Sequence, residues 1–240
     1  MSDYDVELDA RPDTTQQQEE LVVTYADGSQ DRMRLHEYDR VYAIPGLYEE
    51  VVQDRLQCQS PARLASELTE AVRASGGDPG ELVVLDIGAG NGLVAEELQA
   101  RGVTQPGYGL DTSTAAEAAV ARDRPGAYRT FLTAGLDDVD VGELVTDGGV
   151  NALVGAGALG LGHITPDSFQ RAWTALGSGS WFAVTAPEEA ATGEGEELAG
   201  YLDELRAGAD TEIVTFERFR HRLRMSGEPL HYYVIVGRRA

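Results

Sequence analysis

The stretch Val83-Val84-Leu85-Asp86-Ile87-Gly88-Ala89-Gly90-Asn91-Gly92 decides the architecture. An apolar run of strand length enters a turn with three glycines, and Leu93-Val94-Ala95-Glu96-Glu97-Leu98 follows at helical spacing. Gly88 and Gly90 permit backbone conformations closed to other residues and let a ligand approach the main chain. The helix start beyond them offers unpaired N–H groups, so the turn suits a nucleotide-like ligand. Spacing separates the candidates: a dinucleotide fingerprint, G-x-G-x-x-G/A, needs a small residue where this chain has Leu93. Here the third glycine comes early, as D-x-G-x-G-x-G.

Outward from this loop, strand and helix patterns alternate. Tyr108-Gly109-Leu110-Asp111 ends a second strand on an acid nineteen residues beyond Gly92, and a helical pattern follows. YRTFLTA (128–134), VNALVGAG (150–157), a helix over about 166–176 and SWFAVTA (180–186) continue the rhythm. Alternation of this kind implies a parallel sheet covered by helices on both faces. Residues 188–208 read as one acidic helix, and two strands, 211–225 and 231–239, flank the turn Ser226-Gly227-Glu228-Pro229, so the sheet should close on an antiparallel hairpin. The expected fold is α/β: a Rossmann-like, seven-stranded, mostly parallel sheet with that C-terminal hairpin. In the other direction, 75–81 reads as a linker. Residues 36–75 carry apolar residues at helical spacing, broken at Pro45-Gly46 and Ser60-Pro61, as in a helical lid. Two strand-like runs around Asp27-Gly28 suggest a hairpin within 21–35. The division is then an acidic disordered tail over 1–20, hairpin and lid over 21–75, and the ligand-binding domain over 76–240.

Composition narrows the chemistry. The chain has 240 residues, 41 acids and 19 basic residues, for a net charge of −22, and every basic residue is arginine. Without lysine there is no Schiff base, lysine general base or P-loop lysine. The charge repels a phosphate backbone and anionic membranes, which argues against nucleic acid and membrane as partners. Adaptation to high salt, or a GC-rich coding bias, accounts for the acidity as well as any function does. Cys58 is alone, so an internal disulfide and a thiolate metal cluster are excluded, and no metal site is expected. With no signal-like apolar run at the start and a glycine-rich, interrupted run at 148–166, the expected location is cytoplasmic.

The D-x-G-x-G-x-G turn, with Asp111 beyond it, resembles the cofactor loop of the class I S-adenosylmethionine-dependent methyltransferases, and the likeness extends over roughly 36–240. Tyr38-Asp39-Arg40-Val41-Tyr42 and Pro45-Gly46-Leu47-Tyr48 resemble the N-terminal lid of the small-molecule members. The resemblance implies S-adenosylmethionine as cofactor. Gly88, Ala89, Gly90, Asn91 and Gly92 would curl under its methionine part, with Asp86 at the ammonium, directly or through water. Asp111, with Thr112, would take the ribose, as acids do in Rossmann sheets; otherwise Asp111 is a solvated strand-end acid or helix cap. Gly135 and Leu136 stand where relatives place an acid for the adenine, a role Asp137 could reach back to fill. Asn151 replaces the usual acid before the fourth strand, and Gly177-Ser178-Gly179-Ser180 replaces a K-P-G-G turn.

Gly155 and Ala156 end the fourth strand at the carboxyl edge, where open α/β sheets bind ligands, and with Gly157 they leave room for cofactor and nucleophile. Tyr42 and His163 are the catalytic candidates, and Tyr38 and Tyr48 face the substrate by resemblance. The tyrosines read equally as a packing stripe, and His163 as a histidine bonding a loop carbonyl before the helix at Thr165-Pro166. Arg218, Arg220, Arg222 and Arg224 alternate along one strand face, as an anion-binding face or as a charged edge that blocks aggregation. The expected function is methyl transfer to a small molecule. A cofactor enzyme with other chemistry such as cyclisation, or a non-catalytic cofactor-binding regulatory protein, remains open; Leu93 opposes a nicotinamide oxidoreductase. The hairpin or the lid could pair two subunits as a homodimer.

Overall fold

The computed structural model describes residues 4–11, 14–160 and 164–240. Strand β1, Tyr4–Leu8, pairs antiparallel with β2, Glu20–Tyr25, which pairs with β3, Gln30–Arg34. The expected hairpin turns at Asp27-Gly28, with Gly28 at φ 83°. Alternation buries Val6, Leu21, Val23 and Met33 on one face. The disordered tail expected over 1–20 is corrected here: Tyr4, Val6 and Leu8 alternate as a strand does, a pattern disguised by the acids Asp5 and Glu7 on the outer face.

Helix α1, Tyr38–Ala43, ends before Pro45-Gly46, and a π-helical segment, Glu49–Arg55, follows. Helix α2, Ser60–Ala74, carries Pro61 in its first turn. Ser60-Pro61 is therefore a helix start, since the missing proline N–H would be unbonded there anyway. Then come β4, Val83–Ile87; α3, Leu93–Ala100; β5, Gln105–Asp111; α4, Thr114–Asp123; β6, Thr130–Thr133; and α5, Val141–Thr146, a helix the sequence reading did not separate. The chain continues through β7, Ala152–Ala156; α6, Pro166–Ala175; and β8, Trp181–Pro187. The single acidic helix expected over 188–208 is two, α7, Glu188–Thr192, and α8, Glu197–Ala207, because glycines at 193 and 195 interrupt it. Strands β9, Thr211–Leu223, and β10, Pro229–Arg239, form the closing hairpin.

The large sheet has the order β6-β5-β4-β7-β8-β10-β9. Its first five strands run parallel, and β10 is antiparallel to both neighbours. Successive residues serve opposite faces: Val84 packs with Leu64, Leu68, Val94 and Leu98 of α2 and α3, whereas Leu85 and Ile87 pack with Phe169 and Trp173 of α6. The order reverses between β4 and β7, which places the crevice for a ligand beside the glycine turn. No helix among the described residues is long and apolar enough to cross a membrane.

Strand β9 lies at the sheet edge, but its basic face is not uniformly exposed. Arg218 pairs with Glu188 at 2.6 Å, and Arg220 donates to Gln57 Oε1. Arg222 is interior: it meets Glu19 at 2.6 Å, and both side chains are at most 3% exposed. The end of β9 is covered by the chain before α2, through Leu223 N–H to Leu56 O and Gln59 N–H to His221 O.

Candidate functional site

A cavity of about 600 Å³ opens at the carboxyl ends of β4, β5 and β7, within the size range of small-molecule sites. Its floor is Gly88, Ala89, Gly90 and Asn91, with Asp111 and Thr112 on one side and Ala156 and Gly157 on the other. Tyr38, Tyr42 and Tyr48 form its roof.

The floor is pinned to the neighbouring strand. Gly88 and Ala89 N–H groups both donate to Leu110 O, at 2.8 and 3.0 Å. Asp111 uses both carboxylate oxygens, accepting from Gly90 N–H and Ser113 N–H at 2.9 Å each. Each ionised oxygen retains a further lone pair, so the carboxylate can still accept from a ligand hydroxyl. Ser113 then caps α4 by accepting from Ala116 N–H. Gly90 sits at φ 52°, and a Cβ there would lie 2.5 Å from Tyr42 Oη.

The roof is packed and tied down. Tyr42 stacks on Tyr38 with centroids 5.7 Å apart and meets Tyr48 at 5.1 Å. Its ring rests against Ala116 and Ala119 of α4. Glu49 accepts from Asn91 Nδ2 at 2.8 Å and from Arg124 at 2.7 Å, which joins the lid directly to the glycine turn. Ser113 also donates to Asp39 of the lid. Burial pushes the phenol of Tyr38 up to about 12 and raises those of Tyr42 and Tyr48 well above 10, so all three stay protonated at neutral pH. The tyrosines therefore pack as a stripe and line the cavity at once.

Several of the expected contact residues lie off the cavity wall. Asp86 is fully buried off the cavity wall, where Tyr128 donates to its Oδ2 at 2.6 Å and Oδ1 has no partner among the described residues. Burial raises its carboxyl to about 7 against the opposing Tyr128 bond. Gly92 faces Val120 and Arg124, and Gly155 lets β7 approach Ile87, whose side chain a Cβ would meet at 2.9 Å; neither lines the cavity. Gly135 is also off the wall, although Ala134 and Leu136 beside it are on it. His163 lies outside the described residues.

Sequence reasoning missed the wall beyond the roof: Cys58, Ser60 and His221. His221 Nδ1 lies 2.6 Å from Ser60 Oγ and 3.8 Å from Cys58 Sγ, and its ring stacks on Tyr232 at 3.9 Å. Burial, with Arg222 and His36 adding to it, holds this imidazole well below its usual range, and burial raises the Cys58 thiol. The one local signal is that His221 falls between the arginines at 220 and 222, on the strand face it shares with Phe219 and Leu223.

The sheet order, the antiparallel closing hairpin and the glycine turn at its switch point together are the class I S-adenosylmethionine-dependent methyltransferase fold. No protein-family model and no curated protein matches the chain. Solved structures do. A SAM-dependent methyltransferase from Anabaena variabilis aligns at 13% identity and a TM-score of 0.54, over 87% of this chain and 96% of that one. The plantazolicin methyltransferase BpumL, in complex with a monoazolic desmethylPZN analogue and SAH, aligns at 12% identity and 0.53, over 83% and 96%. An RNA methyltransferase candidate from Pyrococcus horikoshii aligns at 15% and 0.54, over 77% and 85%.

Proposed function

We propose that the chain binds S-adenosylmethionine and transfers its methyl group to a small molecule. The observation that carries this is the joining of Gly88–Asn91, the Asp111 carboxylate and the tyrosine roof around one cavity of about 600 Å³. The fit to the cofactor is testable on the residues themselves. Gly90 has no Cβ where one would strike the roof, Asp111 keeps lone pairs for the two ribose hydroxyls, and Ala156 and Gly157 leave open the edge beside the loop. By resemblance Asp86 would stand at the ammonium, and its buried position favours a contact relayed by water over a direct one.

When bound, S-adenosylmethionine supplies an electrophilic methyl on a positive sulfur. The chain's part is to hold a nucleophile in line with that methyl and to exclude water, which the packed tyrosines do by covering the floor. Protonated phenols can donate to an acceptor's oxygen but cannot act as resting bases, so Tyr42 orients rather than deprotonates. His163 stays a candidate base on sequence grounds alone. A charge of −22 favours a small acceptor over RNA, and contact of the lid with the loop favours an enzyme over a regulatory binder. Isothermal titration with S-adenosylmethionine and S-adenosylhomocysteine should give binding of both. Silence with both, and binding of NAD, would overturn the proposal.

A further inference from the structure

Beyond the roof, the cavity wall is built by two segments distant in sequence: the start of α2 brings Ser60, and β9 brings His221, 161 residues later. Between them runs a directed line of hydrogen bonds. Gly157 N–H donates to Thr185 Oγ1 at 2.9 Å, Thr185 donates to Ser60 Oγ at 3.4 Å, and Ser60 Oγ lies 2.6 Å from His221 Nδ1. The first donor is a backbone amide and cannot reverse. Thr185 can give its proton to Ser60, and Ser60 can give its own to Nδ1. With the protons handed on in that sense, Nδ1 accepts and the ring proton sits on Nε2. Among the described residues Nε2 has no hydrogen-bond partner, although the ring lines the cavity. Tyr232, stacked behind the ring at 3.9 Å, fixes its plane, and the low basicity of the buried imidazole keeps it neutral.

The charges on this cavity are one-sided. Glu37, Asp39 and Asp111 line it, and the arginine that does so, Arg40, is committed to Asp31 and Glu37. An anionic group would meet these carboxylates, with Arg40 already paired. Flat surfaces also line this cavity: the rings of Tyr38 and Tyr48, and Pro61.

We propose that His221 Nε2–H is the group that recognises the methyl acceptor, and that the acceptor is an uncharged planar ring presenting a lone pair, such as a ring carbonyl, rather than a carboxylate or phosphate. The acceptor role rests on the methyltransferase reading above; the recognition itself does not. His221 acts as a fixed donor, Ser60 and Thr185 are positioning residues, and no proton is transferred.

The test uses the full chain with its four histidines labelled in the imidazole nitrogens, read by proton–nitrogen correlation. The wild-type spectrum should show His221 as the Nε2–H tautomer, and Ser60→Ala should release it to a mixture. Acetophenone, toluene and benzoate are then titrated with and without S-adenosylhomocysteine. Acetophenone should shift the Nε2 resonance and bind about tenfold more tightly than either other probe, the worth of one hydrogen bond in a site otherwise satisfied. His221→Phe, which keeps a ring on Tyr232, should level acetophenone and toluene. An Nδ1–H tautomer in the wild type, benzoate equal to acetophenone, or no binding by any probe would overturn the proposal; the tautomer is read on the wild type, so a variant that misfolds does not remove the test. If S-adenosylhomocysteine fails to bind while acetophenone still moves His221, the methyltransferase reading fails and the recognition stands.

Discussion

Asp86 and Asp111 end neighbouring strands, yet their surroundings set them apart. Asp111 is half-buried and bonded to two backbone N–H groups at the cavity, whereas Asp86 is sealed away with one oxygen unpartnered among the described residues. Asp111→Ala should weaken S-adenosylhomocysteine at least about tenfold in calorimetric titration, the scale of losing charge-assisted hydrogen bonds. Asp111→Asn retains an acceptor for Gly90 N–H and should lose less; unchanged affinity in both would remove this carboxylate from the ligand. For Asp86 the sign of the pH effect is set by burial. Its folded value is about 7 against 3.8 unfolded, so between those values the folded state holds a proton the unfolded state has released. Ligand-free stability should therefore fall as pH rises from about 4 to about 7, and Asp86→Asn should flatten the slope by up to about 1.4 kcal/mol per pH unit in urea titrations. That Asp111 would reach the cavity was legible in its place at the end of the second strand, nineteen residues beyond the glycine turn. That Asp86 would not was illegible, because its partner Tyr128 lies 42 residues away and nothing local announces the bond.

Among the elements, the lid and the glycine turn form one unit, for Tyr42 covers Gly90 and Glu49 holds Asn91 and Arg124. Gly90→Ala combines a left-handed backbone with a clash against Tyr42 Oη, and should cost about 1–3 kcal/mol in urea unfolding and abolish measurable cofactor binding. A stable variant with intact affinity would mean the roof can lift without consequence. The alternation of strands and helices, and the closing hairpin, followed from period and turn residues alone. Strand β1 did not, because its outer acids mask an alternation that becomes meaningful only when β2 lies beside it. The wall of Cys58, Ser60 and His221 escaped for a related reason: it exists only where α2 and β9 meet.

At the scale of the whole molecule, −22 charges repel one another, and added salt should relieve that. The melting temperature should rise between about 0.1 M and about 1 M salt, as the screening length drops from about 10 Å to about 3 Å; a flat response would mean the carboxylates are already compensated by their neighbours. Glu19 and Arg222 are the exception to a solvated charge, being an ion pair inside the protein. Glu19→Ala strands the guanidinium and should cost about 3–5 kcal/mol in urea, with Glu19→Gln milder because it can still accept from Met225 N–H. The same pair has a temporal meaning. Its members are 203 residues apart, so as the chain leaves the ribosome the first sheet has its strands long before its anchor. Until the closing hairpin emerges, Glu19 is without its counter-ion, and the chain between the lid and α2 lacks its bonds to β9 at Leu56 and Gln59. Binding competence should therefore arrive only once β9 has been made, and all at once.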